Sequence, residues 1–309
     1  MKKKIKKAFN HILKEIEIPN IIISIQKSRF EKLQRAHNSI HEFMYLAPLC
    51  IPSKRKVSWQ PKSAFLTYHW EAFNLAHRSF LESLCGYYTA GFILLRSTLE
   101  LIIKGAFFEC LAHRKFREKS KILDKDERGT QLKKMISSVI GNKNNLEETS
   151  AAIYDMVMVR VNGKVFIERP KYCPSIKTMI HQLDNWKILK PISDPVDNIY
   201  EIYSDLCGDV HIIPDKTDIG RRLSKEKELF ETVIIPEELN RFSISLRKVM
   251  DMGIVIELSV LSDWIKQGKG VKEKLKERLP VIEKDIQLNY SSLKIRNLLK
   301  RVRSQEGAK

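Results

Sequence analysis

Apolar residues recur every three to four positions along most of the chain, the period of helices that turn one face to a core. From Ile21 to Ala47 they fall at Ile25, Phe30, Leu33, Ile40, Phe43 and Met44, and Pro48 and Pro52 close the pattern. After a loop of Pro, Ser, Lys and Arg, a second helix is predicted from Pro61 to Leu84, with Phe65, Tyr68, Ala72, Leu75, Ala76 and Phe80 on one broad face. Gly86 breaks it. The next segment, Tyr87 to Arg117, is apolar nearly all round, so neighbours cover most of its surface and it forms the centre of the core.

A charged linker around Asp124–Arg128 leads to a short helix at Gln131–Ile140, stopped by Gly141 and Asn142. Two patterns compete beyond it. Met156 to Val161, Asn162-Gly163 and Lys164 to Glu168 form a hairpin signal, because Asn-Gly accepts the positive φ angles of a type I′ turn. A helix from Leu146 capped by Gly163 is the rival. The hairpin is preferred, with helix over Glu147–Tyr154 before it. Further helices are predicted at Ser175–Leu183, Val196–His211 and Glu237–Lys266, with a candidate edge strand at Leu229–Ile235. Beyond Gly268 and Gly270 lies a basic helical tail in which Pro280 breaks the pattern. The expected fold is mainly all-α, a helical bundle with a small β-hairpin insertion. Its expected parts are a basic N-terminal helix over 1–20, a helical core domain over 21–266 and a basic helical tail over 267–309.

Composition narrows the class. The 309 residues are 43% hydrophobic and 30% charged, with 12 Gly and 11 Pro, which excludes a disordered or collagenous chain. A chain of this size buries enough surface to be stable without disulfides or a structural metal. Its five cysteines are odd in number, far apart and without a C-x-x-C pair, against a disulfide framework or thiolate zinc site. The opening lysines look like a signal-peptide start, but Lys14, Glu15 and Glu17 interrupt the apolar stretch that would have to follow. Phe92 to Leu111 has about the length of a membrane span. It contains Arg96, Glu100, Lys104 and Glu109, each costing about 2.5 kcal/mol or more near a bilayer centre, so a buried helix is expected instead. The expected location is cytoplasmic, with no membrane partner.

The net charge is +18, and its placement is uneven. Residues 1–7 carry five lysines and no acid, and residues 266–309 carry nine Lys and four Arg against five acids. Basic ends of this kind attract phosphate backbones by counterion release, in a salt-sensitive and sequence-independent way. RNA or another nucleic acid is therefore a candidate partner, and a solvated, solubilising surface is the alternative.

Three polar groupings could carry chemistry. Arg96, Glu100 and Lys104 form a stripe on an otherwise apolar helix, either as a ladder that settles its own charge or as a cleft wall that holds an anion or positions a histidine. Tyr203, Cys207 and His211 lie four apart on one helical face, and Asp205 and Asp209 share another. His211 there is either a cap at the helix C-terminus or a general acid, base or phosphate-binding cation supported by Tyr203. Asp209, His211, Asp215 and Asp218 make a loose group of metal-type ligands whose spacing matches no strong motif. His69, Phe73 and His77 are also four apart and are read as lining rather than ligands. No nucleotide-loop, zinc-protease or serine-hydrolase motif occurs, and no cofactor or metal is expected.

The segments Gly86-Tyr87-Tyr88, Leu95-Arg96-Ser97-Thr98-Leu99-Glu100, Pro174-Ser175-Ile176 and Tyr203 through His211 together resemble poorly characterised all-helical microbial families similar to the HEPN superfamily. The resemblance covers about residues 60–265. It implies a helical bundle, a homodimer, and membership of a group that includes metal-independent RNases of toxin and defence systems. HEPN nucleases carry an R-x4-6-H motif on one helix, and this chain has no arginine between Tyr200 and Val210. By the resemblance, Arg96 on a neighbouring helix takes the place of that arginine, with His211 at the RNA and Glu100 and Tyr203 completing the site. The rival class is a non-catalytic interaction module in which the same residues fix helix packing.

Overall fold

The computed structural model describes residues 18–28, 30–51, 62–143, 145–161, 164–167, 173–210, 234–267, 270–286 and 289–306. Its helices, in chain order, are α1 (Ile18–Lys27), α2 (Phe30–Cys50), α3 (Ala64–Leu84), α4 (Tyr88–Ala112), α5 (Arg114–Arg117), α6 (Glu127–Ile140) and α7 (Leu146–Val157). They continue as α8 (Ile176–Asn185), α9 (Pro195–Val210), α10 (Pro236–Val260), α11 (Ser262–Gln267), α12 (Val271–Asp285) and α13 (Tyr290–Glu306). The fold is all-helical in its body. Two four-residue strands, β1 (Met158–Val161) and β2 (Lys164–Ile167), pair antiparallel, and Asn162-Gly163 between them lies outside the described residues.

Helix α4 is the axis of the bundle, as its all-round apolarity predicts. Leu95, Leu99, Ile103, Ala106, Phe107 and Phe108 are sealed from solvent, and α3, α7, α8, α9 and α10 all pack against it. Its tightest partner is α3. Gly91, near the start of α4, meets Ser83 and Ser79 near the end of α3, while Gly105 meets Tyr68 near its start, so the pair runs antiparallel. The approach is close enough that a Cβ on Gly105 would sit 2.7 Å from Cβ of Tyr68. On the other side, α2 and α10 pack together, and a Cβ on Gly253 would stand 3.0 to 3.2 Å from Ile102 and Phe43. Among the described residues no helix is long and apolar enough to cross a membrane.

Local sequence explains the helix starts. Ser63, Asp126, Asn145 and Ser175 each accept a backbone N–H of the first turn of α3, α6, α7 and α8. The expected helix over Ile21–Ala47 is instead two helices separated at Ser28, and α2 runs through Pro48 to Cys50. Pro48 deprives only the Met44 carbonyl of its helical partner, and buried Leu46, Ala47 and Cys50 hold the last turn in place. Pro280 likewise sits inside α12 rather than breaking it. The carbonyl it orphans belongs to exposed Lys276, on the solvent side of the helix, while Leu275 and Ile282 are buried. The expected helix over Glu237–Lys266 is interrupted at Leu261, between α10 and α11. Most of the candidate edge strand at Leu229–Ile235 lies outside the described residues.

The basic C-terminal helices are docked rather than dangling. Arg278 of α12 forms an ion pair with buried Glu42 of α2, its Nε donating to Oε2 at 3.0 Å. Asn38 donates to Asp285 at 3.1 Å, and Arg247 donates to the Asp285 carbonyl at 2.7 Å. At the start of α13, the backbone N–H groups of Tyr290 and Ser291 donate to the buried Asp251 carboxyl at 3.0 and 2.8 Å.

Candidate functional site

Arg96 and Glu100 project from α4 one turn apart, and Tyr203 reaches them from α9, which packs on that face. Arg96 Nη2 donates to Glu100 Oε1 at 3.0 Å and to the Tyr203 hydroxyl at 3.4 Å. The Tyr203 hydroxyl donates to Glu100 Oε1 at 3.1 Å, and Lys104 Nζ donates to Glu100 Oε2 at 2.8 Å. The Arg96 guanidinium also lies 5.5 Å from the Tyr203 ring centre, within cation–π range. Three of the four predicted site residues therefore meet. His211 lies outside the described residues, as do Asp215 and Asp218.

The electrostatics of the group is that of a settled network. Burial works to raise the Glu100 pKa, but hydrogen bonds and charge from Lys104, Tyr203 and Arg96 outweigh it and hold the carboxyl below the ordinary range. Burial and the facing Glu100 charge push the Tyr203 phenol up to about 12. Burial would lower Arg96, yet the contacts with Tyr203, Cys207 and Glu100 leave it raised. An ionised carboxylate with three donors, a neutral phenol and a permanent cation hold no proton that moves near neutral pH.

A second feature lies where the basic C-terminal helices meet the core. A cleft of about 430 Å³ is lined by Lys187, Lys266, Lys272 and Lys294, with Phe116 and Trp186 among its walls. No acid lines it among the described residues. Its lysines come from four places: the turn after α8, α11, α12 and α13. Lys266 pairs with Asp263 at 3.3 Å and Lys294 donates to the Lys190 carbonyl at 2.9 Å, whereas Lys187 and Lys272 meet no acid among the described residues. The Trp186 ring is held by Phe107 and Phe116, with centroids 5.8 and 5.6 Å away, and its indole N–H is buried without a partner among the described residues.

Two further groups were not assembled by sequence reasoning, which reads His77 as lining and does not mark His37, His41 or Glu257. His37 and His41 on α2 and His77 on α3 bring their ring nitrogens within 4.8 Å of one another. The i, i+4 spacing of the first two was visible in the sequence, but the third comes from another helix. Glu257 on α10 is sealed within the core with neither carboxyl oxygen partnered among the described residues, and burial pushes its pKa well up. His69, by contrast, is core lining as expected, packed against Phe43 and Phe65.

Comparison of the chain with known protein families, with curated proteins and with solved structures finds no match.

Proposed function

We propose that this chain is a cytoplasmic, RNA-associated helical protein that holds the backbone of a single strand in the lysine cleft. The observation that carries the reading is the convergence of Lys187, Lys266, Lys272 and Lys294 on one cleft with no acid in its described lining, beside the half-buried ring of Phe116. Lysines neutralise phosphates and release their counterions, and aromatic side chains offer stacking faces to unpaired bases.

In this reading the HEPN-like likeness is one of architecture, with the β1–β2 pair inserted after α7 and two copies forming a dimer. RNA cleavage then rests on His211, because Arg96, Glu100 and Tyr203 engage one another, with Arg96 Nε left buried and without a partner among the described residues. The closed geometry of that trio favours its assignment to helix packing, which makes the protein a binder before it is a nuclease.

Fluorescence anisotropy with a labelled single-stranded RNA tests the proposal. Binding should weaken with salt, and Lys187→Ala with Lys272→Ala should lower the log–log salt slope by about 1.4, the single-strand value for two lost phosphate contacts. No binding at low salt, or a slope unchanged by the double substitution, refutes it. If the RNA is cut, an undiminished rate in His211→Ala excludes His211 from the cleavage step.

A further inference from the structure

We infer that His37, His41 and His77 form a binding site for one divalent transition-metal ion of the zinc type, separate from the lysine cleft. His37 and His41 stand one turn apart on α2, and their Nε2 atoms are 3.2 Å from each other. His77 closes the group from α3, with ring centroids 5.6 and 6.2 Å from the other two. Tetrahedral zinc holds imidazole nitrogens at about 2.0–2.1 Å, which separates any two of them by about 3.3 Å. The α2 pair already has that separation. All three ligand atoms fall within 4.8 Å, so His77 needs to move inward by at most about 1.5 Å, a side-chain rotation rather than a helix shift.

The surroundings partly enclose the three rings. Each ring is half-buried. Phe73 lies 6.2 Å from both His41 and His77, Phe80 lies 5.8 Å from His37, and Tyr45 stacks 6.1 Å from His41, which gives the triad an aromatic surround. Without metal, the close α2 pair is an imidazole hydrogen bond with one donor and one acceptor. With metal, both Nε2 lone pairs point to the ion, and each of these rings carries its proton on Nδ1. Three imidazoles leave a fourth tetrahedral position for water or an anion.

The test is calorimetric titration of the full chain with Zn²⁺ after chelator treatment, repeated with Co²⁺ to read the visible absorption of a tetrahedral site. The expected result is one saturable ion per chain, weakened at least about tenfold in His41→Ala and in His77→Phe, and unchanged in His181→Ala. His77→Phe keeps a ring beside Phe73 while removing the ligand atoms, so a wild-type circular dichroism melt in that variant separates lost ligation from lost folding. Absence of saturable binding overturns the inference. So does Zn²⁺ affinity that survives His77→Phe.

Discussion

Glu100 is the hub of the α4–α9 contact, and its removal gives the sharpest reading of what that contact is for. Glu100→Ala deletes two intrahelical ion pairs and the acceptor of the Tyr203 hydroxyl, and leaves Arg96 and Lys104 as half-buried cations on one helical face. Intrahelical pairs contribute about 0.3–0.5 kcal/mol each. A hydrogen bond to a charged group contributes about 1.5–3 kcal/mol, and side-chain exposure of 19–25% for Glu100 and Arg96 places this one at the low end. The expected cost in urea unfolding is therefore about 2–3 kcal/mol. Glu100→Gln keeps one acceptor oxygen and should lose about half of that.

The pH dependence supplies an internal control. The folded-state pKa of Glu100 is lowered, so its stabilisation is present above the ordinary value of 4.5 and is lost as pH falls through the folded value. The gap between wild type and Glu100→Gln should thus shrink when unfolding is measured at about pH 3 instead of about pH 7. Folded Glu100→Gln should bind RNA as wild type does, because the lysine cleft is built from other elements. A cost below about 0.5 kcal/mol for Glu100→Ala, or a gap that does not narrow in acid, would show that the network is not the tie between α4 and α9.

Gly105→Ala drives a methyl to 2.7 Å from Tyr68 Cβ between two well-packed helices, and should destabilise by about 1–3 kcal/mol in thermal or urea unfolding; a neutral result contradicts the close approach of α3 and α4. Asp251→Ala removes the acceptor of two N–H groups at the start of α13, and hydrogen exchange should report faster opening of α13 with weakened RNA binding, while protection equal to wild type argues against the anchor. His69 is held at a pKa of about 3 by burial, with only the Met44 backbone favouring its charged form, so its stabilisation is full above the ordinary value of 6.5 and declines as pH falls toward 3. Relative to His69→Phe, wild type should lose about 3 kcal/mol between about pH 7 and about pH 4, measured by urea unfolding at both; equal pH dependence of the two proteins rejects a buried neutral imidazole.

What the sequence made legible follows the range of each interaction. The all-round apolarity of Tyr87–Arg117 announced a central helix, because burial on every side leaves no room for a polar face, and α4 occupies that place. Arg96, Glu100 and Lys104 were visible as a ladder for the same local reason, and Tyr203 was picked out on its own helix. Their meeting depended on the register of α4 against α9, which no local pattern states. Both proline misreadings came from treating a lost N–H as a stop signal. In each case the cost is one orphaned carbonyl, and at Pro280 it faces water while the opposite face of α12 is buried. The histidine triad and the lysine cleft were hidden because their members come from two helices and from four places in the chain.

The distribution of charge over residues 266–309 connects fold to proposed function. A segment with nine Lys and four Arg would repel itself if it packed through its cations, and few acids are available within it. The structure resolves this by docking the segment through buried acids: Glu42 receives Arg278, Asp251 receives the N-terminus of α13, and Asp285 receives Asn38. Two of these acids sit on the core helices α2 and α10, which face the basic helices. With the acids turned inward, Lys272 and Lys294 are left to line the cleft beside Lys187 and Lys266. The anchors that stabilise α12 and α13 therefore also place the cations, and undocking either helix removes part of the cleft without touching the Arg96 network.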